Sequence, residues 1–355
     1  MKILRDNSGV AILVTLTFIA MAFTASVELS RGVRMSVFQT ATIRDKVTAS
    51  YMSSSGVNAG MAVLIKDRSE SGESVDSLME NWADPDYLAS VINSIPFERG
   101  SVSVVIEDEL SKIQVNALVE FPGGRKFNTK QKNVWTNFLT RFVLLDESFA
   151  EIEPISIVNA AKDWLDSGDD DAITGLTGAE SEYYQDMIPP YLCGNGPFRD
   201  INELGLVKDF TSELLYGAGD ITGILNYMTV SGIANAGNSF KYPGNININT
   251  AELPVIAAIV PGDRLDAAEA IFDFRETIDE DNAPTLGDLK WYKNAPGCSD
   301  LDIDSSLICI ASDTFKITAT SKLNEIESVS VAVVKREKSA ETNEWGCRVL
   351  HWETR

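Results

Sequence analysis

Histidine and cysteine are scarce in this 355-residue chain, and their scarcity excludes several kinds of chemistry. His351 is the only histidine, so a two-histidine metal site cannot form and a Ser-His-Asp triad would have to use that residue. The four cysteines contain no C-x-x-C pair, and the chain has neither a G-x-S-x-G elbow nor a phosphate-cradling glycine loop. The sequence therefore predicts a protein that is not an enzyme.

Basic residues are also few relative to acidic ones. The chain has 30 Lys and Arg against 52 Asp and Glu, which gives a formal charge of −22. Such a charge repels nucleic acid, so we expect no nucleic-acid partner. It favours divalent cation sites, although a solvated acidic surface is the commoner explanation.

Charged residues are absent from Val10 to Val27, directly after a polar leader that ends at Gly9. About 20 apolar residues are needed to cross a bilayer, so this 18-residue stretch is just long enough for a membrane helix. Lys2 and Arg5 would hold the leader in the cytoplasm. The alternative is a secretory signal cleaved near Ser26.

Proline is absent from the following residues 28–66, where apolar residues recur at spacings of three, four and seven. One helix from Val10 to about Ile65 would be roughly 85 Å long. The polar residues 67–77 predict a linker after it.

The remainder alternates between strand-like and helical patterns. Period-two alternation predicts strands at 101–108 and 112–121, paired as a hairpin, and further strands at 314–323, 328–337 and 347–353. The region between the two sets is helical and rich in loops. The fold class expected is α+β, with a long N-terminal helix packed on an antiparallel sheet and a large inserted helical domain.

Residues 245–276 predict a helix-hairpin-helix, with a Val-Pro-Gly turn between two helices. In DNA repair proteins this motif binds phosphates through turn amides. Here Asp263, Asp266 and Glu269 follow the turn and Arg264 is the only nearby base, so we interpret the motif as a packing module.

The leader and apolar run together resemble those of type IV pilin-like proteins. The strings KDWLDSGDDD with ESEYY, DINELGLVKDFTSELLYG and NININTA, in this order, resemble the K family of type II secretion minor pseudopilins over nearly the full length. The resemblance implies a single-pass inner-membrane protein with a periplasmic head. Its expected parts are a leader (1–9), a long helix (10–66), a pilin-like head (67–127 and 311–355) and an inserted SAM-like or helix-hairpin-helix-like domain (128–310).

The family also implies processing and a position in the filament. A prepilin peptidase would cut between Gly9 and Val10, and the new N-terminus would be methylated. Most pilin-like proteins carry glutamate at the fifth mature position, where this chain has Val14. The K-type subunit lacks that glutamate and is placed at the filament tip. The implied partners are minor pseudopilins of the I, J and H types, the major pseudopilin, and the secreted substrate or outer-membrane channel.

An acidic loop in the inserted domain is the main candidate for a metal site. Hard cations such as calcium take six to eight oxygen ligands, and nearby glycines let a loop wrap an ion. The spacing does not match an EF-hand. The resemblance favours calcium because the K family binds it in this domain; the alternative is a solvated loop. The candidate ligands are Asp166, Asp169, Asp170, Asp171, Glu180 and Glu182.

A second acidic cluster lies at Asp300, Asp302 and Asp304, whose alternation points three carboxylates to one side of an extended chain. Two alternatives stay open for this cluster: a second calcium site or an exposed acidic hairpin. Cys298 and Cys309 flank this cluster and predict a local disulfide in the periplasm, with free buried thiols as the alternative.

Two other functions stay open on the sequence alone. One is a minor pilin of a type IV pilus or competence system, which would be processed in the same way. The other is a membrane-anchored, calcium-dependent hydrolase that would use the aspartate cluster.

Overall fold

A computed structural model describes residues 8–71, 75–168, 173–237, 239–262, 264–279 and 281–355. The helices are α1 Ser8–Ser71, α2 Pro85–Asn93, α3 Thr129–Phe142, α4 Pro154–Leu165, α5 Ser181–Gln185, α6 Ser212–Tyr216, α7 Leu253–Ile259 and α8 Leu265–Glu276. The strands are β1 Ser101–Asp108, β2 Ile113–Gln114, β3 Gly217–Ala218, β4 Ile221–Thr222, β5 Met228–Thr229, β6 Ala234–Ala236, β7 Ser239–Lys241, β8 Ile246–Asn247, β9 Ile308–Cys309, β10 Thr314–Leu323, β11 Ile326–Lys338 and β12 Trp345–Thr354.

Helix α1 is a single element of 64 residues, about 96 Å long at 1.5 Å per residue. Residues 9–40 are exposed along its whole first half. The helix continues through 67–71, where a linker was predicted. Lys66 and Glu70 form an i,i+4 pair at 3.9 Å, and the Arg68 guanidinium lies 2.6 Å from Asp76, so the last turns are held by charge pairs.

The second half of α1 packs on a four-stranded antiparallel sheet of order β1-β10-β11-β12. Ile106 lies opposite Ile317, which in turn lies opposite Ala332, so apolar side chains line one face of the sheet. Gly56 and Gly60 let the helix approach that face. A Cβ at either glycine would meet a valine or isoleucine methyl at 2.8 Å.

The predicted hairpin between 101–108 and 112–121 is wrong. Strand β1 has the expected bounds, but its partner is β10. The second segment is the two-residue strand β2, parallel to β5, followed by a 3-10 turn at Val115–Leu118. Its alternating polar residues do not face water. Gln114 and Asn116 are buried, and their amides donate to the Val230 and Phe198 carbonyl oxygens, so polarity was not a sign of exposure.

The three C-terminal strands occur where the sequence predicted them, within one or two residues at each end. With α1, α2 and β1 they enclose the smaller of two apolar cores, which contains Trp82 and Phe315 in edge-to-face contact with ring centroids 5.2 Å apart.

The larger core belongs to the inserted domain and runs from Ile113 to Ile308. It therefore begins earlier in the chain than the expected boundary at residue 128. Helices α3 and α4 form its centre, where Trp135, Phe138 and Trp164 are buried.

The helix-hairpin-helix consists of α7 and α8, joined through Val260 and Pro261. Asn137 of α3 donates to the Ala258 carbonyl oxygen at 3.2 Å, so α3 contacts the end of α7. Arg275 of α8 is buried and donates to the carbonyl oxygens of Ile248 and Ala251. These contacts of α7 and α8 are internal to the domain.

Candidate functional site

Three buried carboxylates meet at the end of α4. Asp163 lies in its last turns, Asp166 follows it, and Glu180 precedes α5. One carboxylate oxygen from each residue lies within 4.8 Å of the others. We call these three residues the acidic site.

Backbone amides and a lysine hold these carboxylates. The Thr174 amide donates to both Asp163 oxygens at 3.2 and 3.0 Å, and the Gly168 amide donates to Asp166 at 2.9 Å. Lys162 donates to Asp166 and lies 3.5 Å from Asp163. Burial opposes the lysine charge, but the bond to Asp166 and the nearby carboxylates raise the pKa of Lys162, which stays a cation.

The backbone also approaches the site closely. A Cβ on Gly178 would lie 2.0 Å from an Asp163 carboxylate oxygen, and Gly175 has a positive φ of 63°. Glycine at 178 thus lets the 173–178 loop pass directly over Asp163.

The structure brings together part of the predicted ligand set. Asp166 and Glu180 belong to the acidic site, whereas Glu182 is exposed on α5, in the wall of a groove that Glu180 also lines. The predicted ligands Asp169, Asp170 and Asp171 lie outside the described residues. Asp163 was not predicted. Its spacing of three residues from Asp166 places both on one helix face, which the sequence could have indicated.

The donor set fits a hard cation such as calcium. It offers oxygen ligands from three carboxylates, and Lys162 pairs with two of them. The neighbouring thiol of Cys193 is not a competing ligand. Its Sγ donates to the Asp163 carbonyl oxygen, and burial raises the pKa of this thiol to about 12.

The second acidic cluster does not assemble into a metal site. Its three carboxylates alternate with buried Leu301 and Ile303 as expected, but each faces a different base. Asp300 pairs with Arg264 at 3.2 Å, Asp302 with Lys293 at 4.0 Å and Asp304 with Lys130 at 2.7 Å. They thus link separate elements of the surface through charge pairs.

All four cysteines are free in the structure, so the predicted bridge between Cys298 and Cys309 is not formed there. The Cys298 thiol is buried and faces the carbonyl oxygens of Ala267 and Pro296 at 3.9 and 3.7 Å. Burial raises the pKa of Cys309 to about 12.

A buried polar cluster joins the two cores, and we call it the junction network: Asp76, Asp108, Asn247, Ser312 and Arg336. Asp108 accepts hydrogen bonds from Asn247, Ser312 and Thr250 at 2.9, 2.6 and 2.6 Å. Arg336 donates to Asp76 and to the Ser312 carbonyl oxygen. Burial raises the pKa of Asp108 to about 6 although these hydrogen bonds lower it.

The NININTA string has a structural role that its pattern does not predict. In the structure its asparagines connect separate segments by hydrogen bonds. Asn247 donates to Asp108 of β1, and Asn249 accepts from the Trp291 indole at 2.7 Å.

The exposed half of α1 is the remaining candidate surface. In the part of the chain that the structure describes, α1 is the one helix long and apolar enough to cross a membrane. Val10 is 60% exposed and Val14 46% exposed, and a Cβ added at Gly9 would meet open space. The residues on either side of the predicted cleavage position therefore lie free of the head.

Two family models match the chain, and both describe type II secretion system protein K. One covers residues 111–217, the other residues 246–308. The chain belongs to the type II secretion system protein K family.

Curated protein K relatives align over much of the chain. The Pseudomonas aeruginosa protein is 27% identical over 283 residues, which are 76% of this chain and 73% of the relative. The Aeromonas hydrophila protein is 24% identical over 211 residues, or 59% of this chain and 61% of the relative. The Klebsiella pneumoniae protein is 28% identical over 208 residues. The alignments with the last two span about three fifths of those relatives' lengths.

A solved structure has the same fold as this protein K family member. It is a chain of the GspK–GspI–GspJ complex of enterotoxigenic Escherichia coli, with a TM-score of 0.62 and 17% sequence identity. The match covers 89% of this chain and 99% of the E. coli chain. The α+β architecture with a long N-terminal helix is therefore shared.

Proposed function

We propose that the protein is a non-enzymatic minor pseudopilin of a type II secretion system, anchored in the inner membrane with its head in the periplasm. The observation that carries the proposal is α1, whose residues 9–40 contact nothing in the head although they are largely apolar. Bilayer lipid covers an apolar segment such as Val10–Val27, and neighbouring helices would cover the segment beyond it.

The subunit would occupy the filament tip. Val14 supplies no carboxylate for pairing with the N-terminal amine of a neighbouring subunit, and the head is enlarged by the inserted domain. The partners proposed are minor pseudopilins of the I, J and H types and the major pseudopilin, with the secreted protein or outer-membrane channel facing the head. The solved relative supports the I and J types because it was crystallised as a GspK–GspI–GspJ complex.

We also propose that the acidic site binds calcium as a structural ion. Asp163, Asp166 and Glu180 would supply carboxylate oxygens, and the ion would hold the 166–180 loop on α4. His351, the only histidine, is exposed on β12 of the sheet, whereas these ligands lie in the inserted domain, which supports a structural role for the site.

Processing is tested on the full chain extracted from membranes of its host. N-terminal sequencing should give a methylated residue Val10, and Gly9→Val should leave the leader attached and abolish secretion of a reporter protein. Gly32→Ala, a helix glycine with open space around it, is the matched control. A start near Ser26 would show a secretory signal and refute the pseudopilin assignment.

Calcium binding is tested by thermal unfolding of the full chain in lipid nanodiscs. Calcium at 100 times its Kd stabilises a one-site protein by about 2.7 kcal/mol, which chelator reverses. The shift should vanish in Asp163→Asn and Glu180→Gln but persist in Asp186→Asn, where the carboxylate is exposed nearby. An unchanged melting temperature with calcium would refute the metal site while leaving the pseudopilin proposal intact.

A further inference from the structure

A groove of about 380 Å³ lies between the end of α3 and the helix pair α7–α8. Its lining is almost entirely apolar and includes Phe138, Phe142, Leu253 and Ala257. Leu144 and Leu145, which follow α3, also line it and are 80% and 57% exposed. Because large apolar side chains in one exposed patch are costly in water, this patch indicates a binding surface.

One charged side chain in the groove wall is incompletely satisfied. Arg141 Nη2 donates to the Val260 carbonyl oxygen at a long 3.5 Å, and Nη1 is shielded from solvent without an acceptor among the described residues. Burial lowers the pKa of this guanidinium. Leaving a shielded cationic donor without an acceptor costs free energy. A carboxylate of a bound partner would recover that free energy by accepting the hydrogen bond.

The opposite wall carries the opposite charge. Glu269 of α8 lines the groove, is exposed, and forms no ion pair with Arg141 in the described structure. An occupant that complements both walls therefore carries a carboxylate near Arg141 and a basic group near Glu269. A fatty acid matches the first condition alone, whereas a polypeptide segment with separated charges matches both.

We propose that this groove docks an amphipathic segment of a partner polypeptide. The segment would place a large apolar side chain between α3 and α7, and a carboxylate as the acceptor for Arg141 Nη1 after a small rotation of the guanidinium. The groove is separate from the acidic site and from the exposed half of α1, so the proposal goes beyond the pseudopilin role and does not depend on calcium.

The test uses the full chain in lipid nanodiscs and two small probes. N-acetyl-leucyl-phenylalanine carries an apolar ring and a carboxylate, and its C-terminal amide is the neutral match. Titration by saturation-transfer NMR should show the acid binding about tenfold more tightly than the amide, because a hydrogen bond to an ionic group is lost in the amide.

Variants assign the difference to named residues. Arg141→Gln should bring the acid-to-amide ratio to about one, and Leu145→Ser should weaken both probes while keeping the ratio. Glu269→Gln, an exposed change that leaves the core intact, should strengthen binding of the acid more than that of the amide.

Three outcomes would overturn the proposal. The first is equal binding of acid and amide to the unmodified chain, and the second is a tenfold ratio that survives Arg141→Gln. If Arg141→Gln fails to fold, Glu269→Gln serves instead, and an acid-to-amide ratio that this variant leaves unchanged would overturn the proposal. The third is decanoate displacing the dipeptide with higher affinity, which would identify an acyl-chain site instead of a polypeptide site.

Discussion

The Asn247 side-chain amide donates to the Asp108 carboxylate at 2.9 Å, and this contact joins the inserted domain to the four-stranded sheet. Asp108 ends β1 of the sheet, while Asn247 belongs to β8 of the inserted domain. The same amide also reaches the Asp76 carbonyl oxygen and the Ser312 hydroxyl, both at 3.1 Å. One side chain thus connects three segments that are distant in sequence.

Replacing Asn247 by alanine should destabilise the protein by about 2–4 kcal/mol, since it leaves buried acceptors without a donor. Urea unfolding of the full chain in nanodiscs, followed by tryptophan fluorescence, measures the change. Asn81→Ala is the control because Asn81 is exposed. A loss equal to that of the control would show that the junction network does not couple the inserted domain to the sheet.

The raised pKa of Glu80 predicts that the free energy of unfolding depends on pH. Burial, together with the Asp67 carboxylate, raises its pKa from 4.5 to about 8, and Trp82 donates to it at 2.7 Å. Because the folded-state pKa is the higher one, the stability from protonated Glu80 is fully present below pH 4.5 and is lost as the pH rises through 8.

Glu80→Gln imitates the protonated form. The variant should match the unmodified protein near pH 5 and exceed its stability by on the order of 2 kcal/mol at pH 9, a figure reduced for the side chain's partial exposure. Unfolding at several pH values measures the difference, with exposed Glu325→Gln as control. A difference that does not grow with pH would contradict the raised pKa.

Gly178→Ala should damage the acidic site. The new Cβ would lie 2.0 Å from an Asp163 oxygen and 2.7 Å from the Thr174 amide nitrogen, so the loop must move. We expect a loss of about 2 kcal/mol or more and a smaller calcium-induced melting shift. Gly346→Ala, with open space around it, should change neither, and equal effects of the two substitutions would refute the close approach.

Val14→Glu should impair membrane insertion or assembly. A carboxylate in the hydrocarbon region is unfavourable unless a partner compensates it, by up to about 2.5–3.5 kcal/mol at the bilayer centre, and a subunit at the tip would have no amine above it to do so. Membrane fractionation and reporter secretion measure the effect, with Val14→Leu as the neutral control. Full activity of the glutamate variant would argue against the tip position.

Counting the alkylated cysteines distinguishes a disulfide bond from free thiols. Alkylation of the unfolded chain without reductant should add four labels if the thiols are free and two if Cys298 and Cys309 are joined, which mass spectrometry counts. In the folded, reduced protein, labelling of Cys193 and Cys309 at pH 8 should be slower by about two orders of magnitude or more than that of an unperturbed thiol, because burial raises both pKa values to about 12. Rapid labelling would contradict their burial.

Local patterns predicted the elements of this fold better than their partners. The uninterrupted apolar run of α1 and the alternation of β10 and β11 are local signals, and all three elements formed where expected, within a few residues. The pairing of β1 with β10 depends on contacts across the whole inserted domain, so no local signal reports it. The alternation at 113–118 gave a wrong prediction of a strand with one exposed face, because the amides of Gln114 and Asn116 donate hydrogen bonds to backbone carbonyl oxygens inside the core.

The acidic site was predicted in part for a similar reason. Asp166 and Glu180 stood out because they belong to an acidic, glycine-containing stretch. Asp163 did not, because it sits within an apparently ordinary helix, and the Thr174 amide that marks it as part of the site comes from a loop eleven residues later. At 300–304 the alternation was right, but the bases facing the carboxylates come from α3, from the residue before α8 and from the turn at 291–294.

Helix α1 makes the head mechanically continuous with the membrane. No proline occurs before Pro85, Gly32 is the only glycine between Val10 and Ser55, and Gly56 and Gly60 are clamped against the sheet. A push applied near Val10 meets no proline before Gly56 and reaches β10 and β11 as compression along about 70 Å of helix. A displacement of the base along the helix axis is therefore transmitted to the sheet on which α1 packs.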